Sequence, residues 1–316
     1  MHKRKIQLIA NSTYSISLPK EWIIKNSLKK SDTIMISEKN DSTLILSPSI
    51  IENQKLNEIT LHIEDFPNSI NRVLYVCFYL GIQTITLKSK KEFSTDQKTK
   101  IRKSISQMSG SEITYEDKSK MIISVFLDHN RLDLKQIIFR TGLLIESMIE
   151  TIIEKLNIKE INLNEVEIDR LYHLSTKIIS LSLININVLN TSKIKNVSMI
   201  PSYFLICKKL ENIGDNLSHL ANHMNQNKIN SSSFKEILEL IKSEISRSIK
   251  HINADFPKMF EKISDDSRYE SKNYIYQIKD KILSDYLKDT LRFVKDIEDE
   301  IVQLSFTKQL LEKGNL

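Results

Sequence analysis

The second half of the chain has the hydrophobic periodicity of long amphipathic helices, and this pattern most constrains what the chain can fold into. From Leu132 onward, apolar positions recur at the helical period in six stretches separated by short polar segments. Short links between long helices favour antiparallel neighbours, so we predict an all-α bundle made of two three-helix units. The predicted helices span 132–157, 163–186, 199–226, 232–254, 258–281 and 284–312.

Composition agrees with a helical chain and argues against several kinds of site. The chain has only five Gly and five Pro, and it has no Gly-rich run of the kind that cradles phosphates. Cys77 and Cys207 lie in apolar runs and are expected to be buried, reduced thiols. No apolar run reaches the roughly 18 residues of a membrane span, and the first residues do not resemble a signal peptide, so we expect a cytoplasmic protein.

Two β-containing segments precede the helices. Residues 1–50 combine short β-rich runs with one helix that starts at Pro19, and such short strands need a docking surface or a second copy to form a core. Residues 55–130 alternate strand-like and helical runs, which predicts a small α/β domain before the all-α domain at 131–316. The predicted α/β elements are Glu58–Ile63, Ser69–Leu80, Ile82–Leu87, Thr95–Met108, Glu112–Tyr115 and Met121–Leu127. The predicted fold class is therefore multidomain α+β.

The first segment resembles a known type of domain. STYSISLPKEW at 12–22, followed by Ser31-Asp32-Thr33-Ile34 and Asp41-Ser42-Thr43-Leu44, is similar to the AbrB-like head of archaeal phosphate regulators. The resemblance implies a swapped-hairpin β head that forms a homodimer, and many such heads bind DNA. Ser31 and Ser42 replace glycines of the family pattern, so less permissive residues must make those turns.

DNA binding by this head stays open at the sequence level. DNA-binding bacterial relatives carry two arginines just after the helix begins, where this chain has Ile23 and Ile24. Phosphate contacts need several cations on one face, and the alternative is a solvated lysine face. The candidate DNA contacts are Lys3, Arg4, Lys5, Lys20 and Lys25, with Lys29 and Lys30 nearby.

An acidic pair in the third predicted helix is the main candidate for chemistry. Glu211 and Asp215 are four residues apart, so they share one helical face, where a cation would relieve their repulsion. Gly214 in mid-helix costs roughly 1 kcal/mol relative to Ala, which a close helix approach or a metal cluster would explain. LENIGD at 210–215 resembles the PhoU signature, and this implies that Glu211 and Asp215 bind divalent or iron-type metal ions. His219 and His223 continue the same face, as metal ligands or as a polar flank.

Two further segments resemble the same family, the first in a degenerate form and the second closely. PhoU proteins carry one metal motif per three-helix unit, and the segment 291–301 places Asp296 and Glu300 at the second motif, with Asp299 as an alternative. A surface acidic run is the competing interpretation. The segment EVEIDRLYHL offers Asp169 as a further metal ligand or as a packing residue.

The combined resemblance implies a regulator of phosphate uptake and homeostasis. The sequence shows no nucleophile–base pair, no metal triad with an open catalytic position and no phosphate loop, so we expect that the protein is not an enzyme. A phosphate ABC transporter ATPase or a phosphate-signalling protein is the expected partner. Two alternatives compete: a scaffold that acts by protein contacts without binding DNA, and a di-metal enzyme. Few His ligands converge on the acidic helices, which argues against the enzyme.

Overall fold

The protein is seen in a computed structural model that describes residues 3–10, 12–38, 43–48, 57–128, 132–252, 275 and 278–313. By its contacts the chain divides into two units, Met1–Lys55 and Leu56–Leu316. The predicted boundary at 50–55 falls at this division, whereas the predicted boundary at 130–131 falls inside the second unit. The three-domain division as a whole stays a prediction.

The first unit consists of two hairpins and one short helix. β1 (Gln7–Ile9) pairs with β2 (Thr13–Ser15), and β3 (Ile34–Glu38) pairs with β4 (Leu44–Pro48), both antiparallel. Between them lies the predicted helix, α1 (Lys20–Lys25), which begins one residue later than predicted because Pro19 is its N-cap. The swapped exchange between two copies stays a prediction.

The turn before β3 forms without a glycine. Ser31 has a left-handed φ of +74°, a conformation that glycine adopts more easily. The carboxylate of Asp32 accepts the backbone N–H of Lys29 at 2.7 Å and so stabilises this turn. The prediction that a less permissive residue makes the turn is confirmed at Ser31, while Ser42 lies outside the described residues.

The second unit begins with a four-stranded sheet covered by two helices. The strand order is β5-β6-β8-β7, in which β5 and β6 are parallel and the other pairs are antiparallel. The buried residues Leu74, Phe78, Ile85 and Ile123 form its core. The elements, which match the predicted order, are β5 (Glu58–His62), α2 (Ile70–Tyr79), β6 (Thr84–Lys88), α3 (Thr95–Gln107), β7 (Ser111–Glu116) and β8 (Lys120–Val125). We call residues 57–128 the α/β layer.

Long helices follow the α/β layer, and several of their bounds differ from the predicted ones by up to five residues. The second helix begins at residue 158 and not 163, because Asn157 caps it through the N–H of Glu160. A short helix forms inside the predicted break at 187–196, and the last helix begins at residue 281 and not 284 because Asp280 caps it. The helices are α4 (Leu134–Glu154), α5 (Ile158–Ser182), α6 (Ile186–Thr191), α7 (Ile200–Asn227), α8 (Lys235–His251) and α9 (Lys281–Glu312).

The long helices share one hydrophobic core. α4, α5 and α7 pack against one another, α8 packs on α4, and α9 packs on both α7 and α8. The α/β layer packs on α5 through α2 and α3. The predicted helix 258–281 lies mostly outside the described residues, so the second three-helix unit stays a prediction. In the described part of the chain no helix is long and apolar enough to cross a membrane.

Both cysteines have the environment that the sequence predicts. Cys77 on α2 and Cys207 on α7 are buried and form no disulfide. Burial raises the pKa of the Cys207 thiol to about 12, which keeps it protonated and unreactive at neutral pH.

Candidate metal centre

Two neighbouring helices each carry a pair of acids with the same spacing. Glu211 and Asp215 lie on α7, and Glu165 and Asp169 lie on α5, each pair four residues apart. A Cβ atom on Gly214 would lie only 3.1 Å from the side chain of Ile168, so the two helices approach closely beside these acids. The predicted reason for a mid-helix glycine, a close helix approach, is therefore confirmed.

The close approach brings carboxylates from both helices together. Glu165, Asp169 and Asp215 each offer an oxygen atom, and these three atoms lie within 4.8 Å of one another. All three residues are half-buried. Glu211 lies beside them, and its carboxylate accepts from the ammonium of Lys208 at 2.6 Å. We call Glu165, Asp169, Glu211 and Asp215 the carboxylate cluster.

Burial, together with repulsion between the acids, makes the negative charges of the carboxylate cluster unfavourable. Burial, reinforced by Glu165 and Asp215, raises the pKa of Asp169 to about 6. Burial also raises the pKa of Glu165, Glu211 and Asp215, with Asp215 adding to the effect on the two glutamates. Lys208 opposes these shifts at Asp169, Glu211 and Asp215 but does not cancel them. An added cation would remove this electrostatic cost.

The α/β layer also reaches the carboxylate cluster. The side-chain amide of Gln107, the last residue of α3, donates to Asp169 Oδ2 at 3.0 Å. Lys103 on the same helix lowers the pKa of Glu165, opposing the effect of burial. Three helices from two parts of the second unit therefore surround the carboxylates.

The predicted histidines have other neighbours. His219 is exposed, and its ring lies 5.9 Å from the ring of Tyr286, although its charge lowers the pKa of Asp215. His223 Nε2 shares a hydrogen bond of 2.9 Å with the carboxylate of Asp280, the residue that caps α9. Neither histidine belongs to the group of converging ligand atoms.

The acidic side chains of the second predicted motif do not converge on one point as those of the carboxylate cluster do. Asp296 Oδ2 accepts from Lys209 Nζ at 2.5 Å, which links α9 to α7. Among the described residues, Asp296, Asp299 and Glu300 belong to no group of three converging ligands. The neighbouring Glu298 is buried and pairs with Arg247 at 2.9 Å, so this part of α9 has ion pairs that hold helices together.

Glu165 was missed by the sequence prediction, although a signal for it was present. It precedes Asp169 by four residues in EVEIDR, the same spacing as Glu211 and Asp215 in LENIGD. Two acidic pairs of equal spacing on adjacent helices are typical of a site shared between those helices.

The candidate DNA contacts of the first unit are all on its surface. Ile24, at a position where DNA-binding relatives carry arginine, is 65% exposed. The surface of α1 therefore carries an exposed apolar side chain as well as the exposed cations Lys20 and Lys25. The exposed candidates are Lys3, Arg4, Lys5, Lys20 and Lys25, together with Lys29 and Lys30.

Comparisons with known proteins support the first unit alone. Residues 7–52 match the model of a family described as antidote-toxin recognition MazE, bacterial antitoxin. This match supports the predicted AbrB-like head. Domains of this kind typically dimerise, and the match suggests a small regulatory role. Neither a curated protein nor a solved structure matches the chain.

Proposed function

We propose that this chain regulates phosphate uptake, with a cation-binding helical unit joined to a dimerising head. The carboxylate cluster carries the proposal, because carboxylates from α5 and α7 converge at the residues that resemble the PhoU signature. The role is regulatory and not catalytic. A phosphate ABC transporter ATPase or a phosphate-signalling protein is the partner class that the resemblance implies.

The donor atoms of the cluster fit a hard cation. Mg²⁺ and Mn²⁺ prefer carboxylate oxygens at about 2.1 Å, so adjacent ligands lie about 3 Å apart and opposite ligands about 4 Å apart. The oxygens of Glu165, Asp169 and Asp215 lie within 4.8 Å, and small side-chain rotations would bring them to those separations. Glu211 could join the same cation by exchanging its contact with Lys208. Iron is the other candidate that carboxylates accept.

The first unit supports the dimerising head. None of its residues whose exposure is described is buried, so one copy does not enclose a core there. Large apolar side chains are exposed on its strands, including Leu8 at 51%, Tyr14 at 75% and Ile36 at 64%. Pairing with a second copy would cover these side chains, in agreement with the match to a family whose members typically dimerise.

Elemental analysis of purified protein tests the cation proposal. The wild type is compared with Glu211→Ala/Asp215→Ala and with the control Asp285→Asn/Asp289→Asn, an acidic pair of equal spacing on α9. Asp285 and Asp289 pair only with lysine and arginine of their own helix in the described contacts. We expect bound metal in the wild type and the control and its loss in the first variant. Equal metal content in all three proteins would refute the proposal.

A scaffold without DNA binding is the second candidate function, and the exposed Ile24 favours it. Salt-titrated DNA binding by the full chain separates the two candidates. If the head contacts phosphates, Lys20→Gln/Lys25→Gln lowers the salt dependence of binding, whereas the surface control Lys281→Gln/Lys313→Gln leaves it unchanged. If the wild type shows no DNA binding at low salt, the scaffold is the correct candidate.

A further inference from the structure

One face of α5 is anchored to the α/β layer by three polar side chains. Asp169, His173 and Lys177 are spaced four residues apart, so they follow one another along the same face. Each contacts the α/β layer, which makes this interface a line of specific polar contacts. The contacts are Asp169 Oδ2 to Gln107 Nε2 at 3.0 Å, His173 Nδ1 to the Tyr79 hydroxyl at 2.5 Å, and Lys177 Nζ to the carbonyl of Phe78 at 3.1 Å.

The amide of Gln107 has a fixed orientation in this interface. Its Nε2 donates to Asp169, and its Oε1 accepts from the hydroxyl of Tyr75 at 2.5 Å. A flipped amide would place its oxygen against the carboxylate oxygen of Asp169 and lose that hydrogen bond, whereas the Tyr75 hydroxyl can accept as well as donate, so Asp169 decides the orientation. Only 9% of the surface of Gln107 is exposed. Water therefore cannot replace these hydrogen-bond partners at low cost.

Tyr75 closes a loop of contacts across three helices. Its ring stacks on the ring of His173, with 3.9 Å between the ring centroids. His173 lies one turn after Asp169 on α5, so the contacts run from α5 to α3, then to α2, and back to α5. A closed loop of this kind restricts the position of every member, including the Asp169 carboxylate.

We propose that the α/β layer is an integral part of the cation site, with Gln107 as the positioning residue for Asp169. This inference rests on the proposed cation binding. The Gln107 N–H group occupies one acceptor position of the carboxylate and leaves its other acceptor positions for a cation. Hydrogen-bonded partners of this type orient metal ligands, and their loss typically lowers metal affinity about 10–100-fold.

The same contacts link the site to the docking of the α/β layer. If docking orients Asp169 and thereby favours the cation, the bound cation must favour docking by an equal free energy. The cation should therefore reduce the opening motions of α3, the helix that ends at Gln107. The α/β layer would then respond to occupancy of a site whose carboxylates all lie on α5 and α7.

Mn²⁺ titration calorimetry of the full chain tests this inference. Gln107→Leu removes both hydrogen bonds and substitutes an apolar side chain of similar size, and Tyr75→Phe removes only the hydroxyl that donates to the amide. Ser106→Ala is the matched control, because the Ser106 hydroxyl donates only to the carbonyl of Lys103 within α3. We expect Mn²⁺ affinity to fall about 10–100-fold in Gln107→Leu, less in Tyr75→Phe, and not in the control.

Hydrogen exchange distinguishes positioning from a general effect on folding. In the wild type, Mn²⁺ should slow amide exchange in the peptide 95–107, and this slowing should disappear in Gln107→Leu and Tyr75→Phe. If both variants bind Mn²⁺ as tightly as the wild type, the inference is wrong while the cation proposal stands. If the wild type binds no Mn²⁺ or any other cation tried, both are wrong. Should Gln107→Leu fail to fold, Tyr75→Phe alone decides between these outcomes.

Discussion

Replacing Asp169 with Asn should stabilise the cation-free protein while weakening its cation site. Asn keeps a side-chain oxygen that accepts from Gln107, so the contact to the α/β layer survives the change. The substitution removes the negative charge of Asp169. Burial, together with the nearby charges of Glu165 and Asp215, makes this charge unfavourable and raises the pKa of Asp169. Stability and cation binding therefore change in opposite directions.

The magnitude follows from the pKa of this carboxyl group. A rise from 3.8 to about 6 corresponds to about 3 kcal/mol, at 1.36 kcal/mol per pKa unit. Because the carboxylate is half-buried, solvent screening reduces the expected effect to about 1–2 kcal/mol. The folded state holds the proton more tightly than the unfolded state, so stability falls as pH rises from about 4 to about 6 and then stays level.

Urea unfolding in EDTA, followed by circular dichroism at several pH values, measures this effect. Between the wild type and Asp169→Asn, the difference in free energy of unfolding should grow from near zero below pH 4 to about 1–2 kcal/mol at pH 7. Asp117→Asn is a control of opposite sign, because the N–H groups of Ser119 and Lys120 lower the pKa of Asp117. An Asp169→Asn variant that is less stable than the wild type at pH 7 would refute the electrostatic argument.

Three further predictions concern the contact between α5 and α7, the ammonium group of Lys208 and the dimer surface of the first unit. Gly214→Ala should weaken Mn²⁺ binding about tenfold, because the new Cβ would push on Ile168 and separate α5 from α7. Titration calorimetry measures the Mn²⁺ affinity, and an unchanged affinity would contradict this prediction. Lys208→Met should lower the free energy of unfolding of the cation-free protein at neutral pH by up to about 1 kcal/mol, because the ammonium group offsets the negative charge of the carboxylate cluster. Urea unfolding in EDTA measures this change, and a gain in stability would count against the prediction. Ile16→Lys/Ile36→Lys should convert the dimer into monomers, as measured by sedimentation, because the two side chains are 56% and 64% exposed in a single copy. A dimer of undiminished stability would show that these two side chains do not lie in the dimer interface.

Sequence patterns and the family resemblance were sufficient for most elements and for three of the four residues of the carboxylate cluster, Asp169, Glu211 and Asp215. The spacing of Glu211 and Asp215 places both on one face of α7, and Gly214 correctly predicts a close helix approach. The strand and helix order of the α/β layer also follows from local periodicity, because each element has a clear apolar pattern and a turn residue at its end.

Contacts between distant segments could not be predicted in this way. Gln107 precedes Asp169 by 62 residues, and no local pattern says that the end of α3 reaches that face of α5. Glu165 required knowing which face of α5 meets α7. The pairing of Asp296 with Lys209 likewise depends on how α9 packs on α7, which a degenerate acidic motif does not specify.

Glu165→Gln tests whether α5 and α7 form one shared cation site. Glu165 lies outside the signature-like segment of α7, so its effect depends only on the geometry that joins the two helices. In Mn²⁺ titration of EDTA-treated protein, we expect the wild type to bind and Glu165→Gln to bind with an affinity at least about tenfold lower. Equal Mn²⁺ affinity in the two proteins would show that Glu165 on α5 does not share a cation with α7.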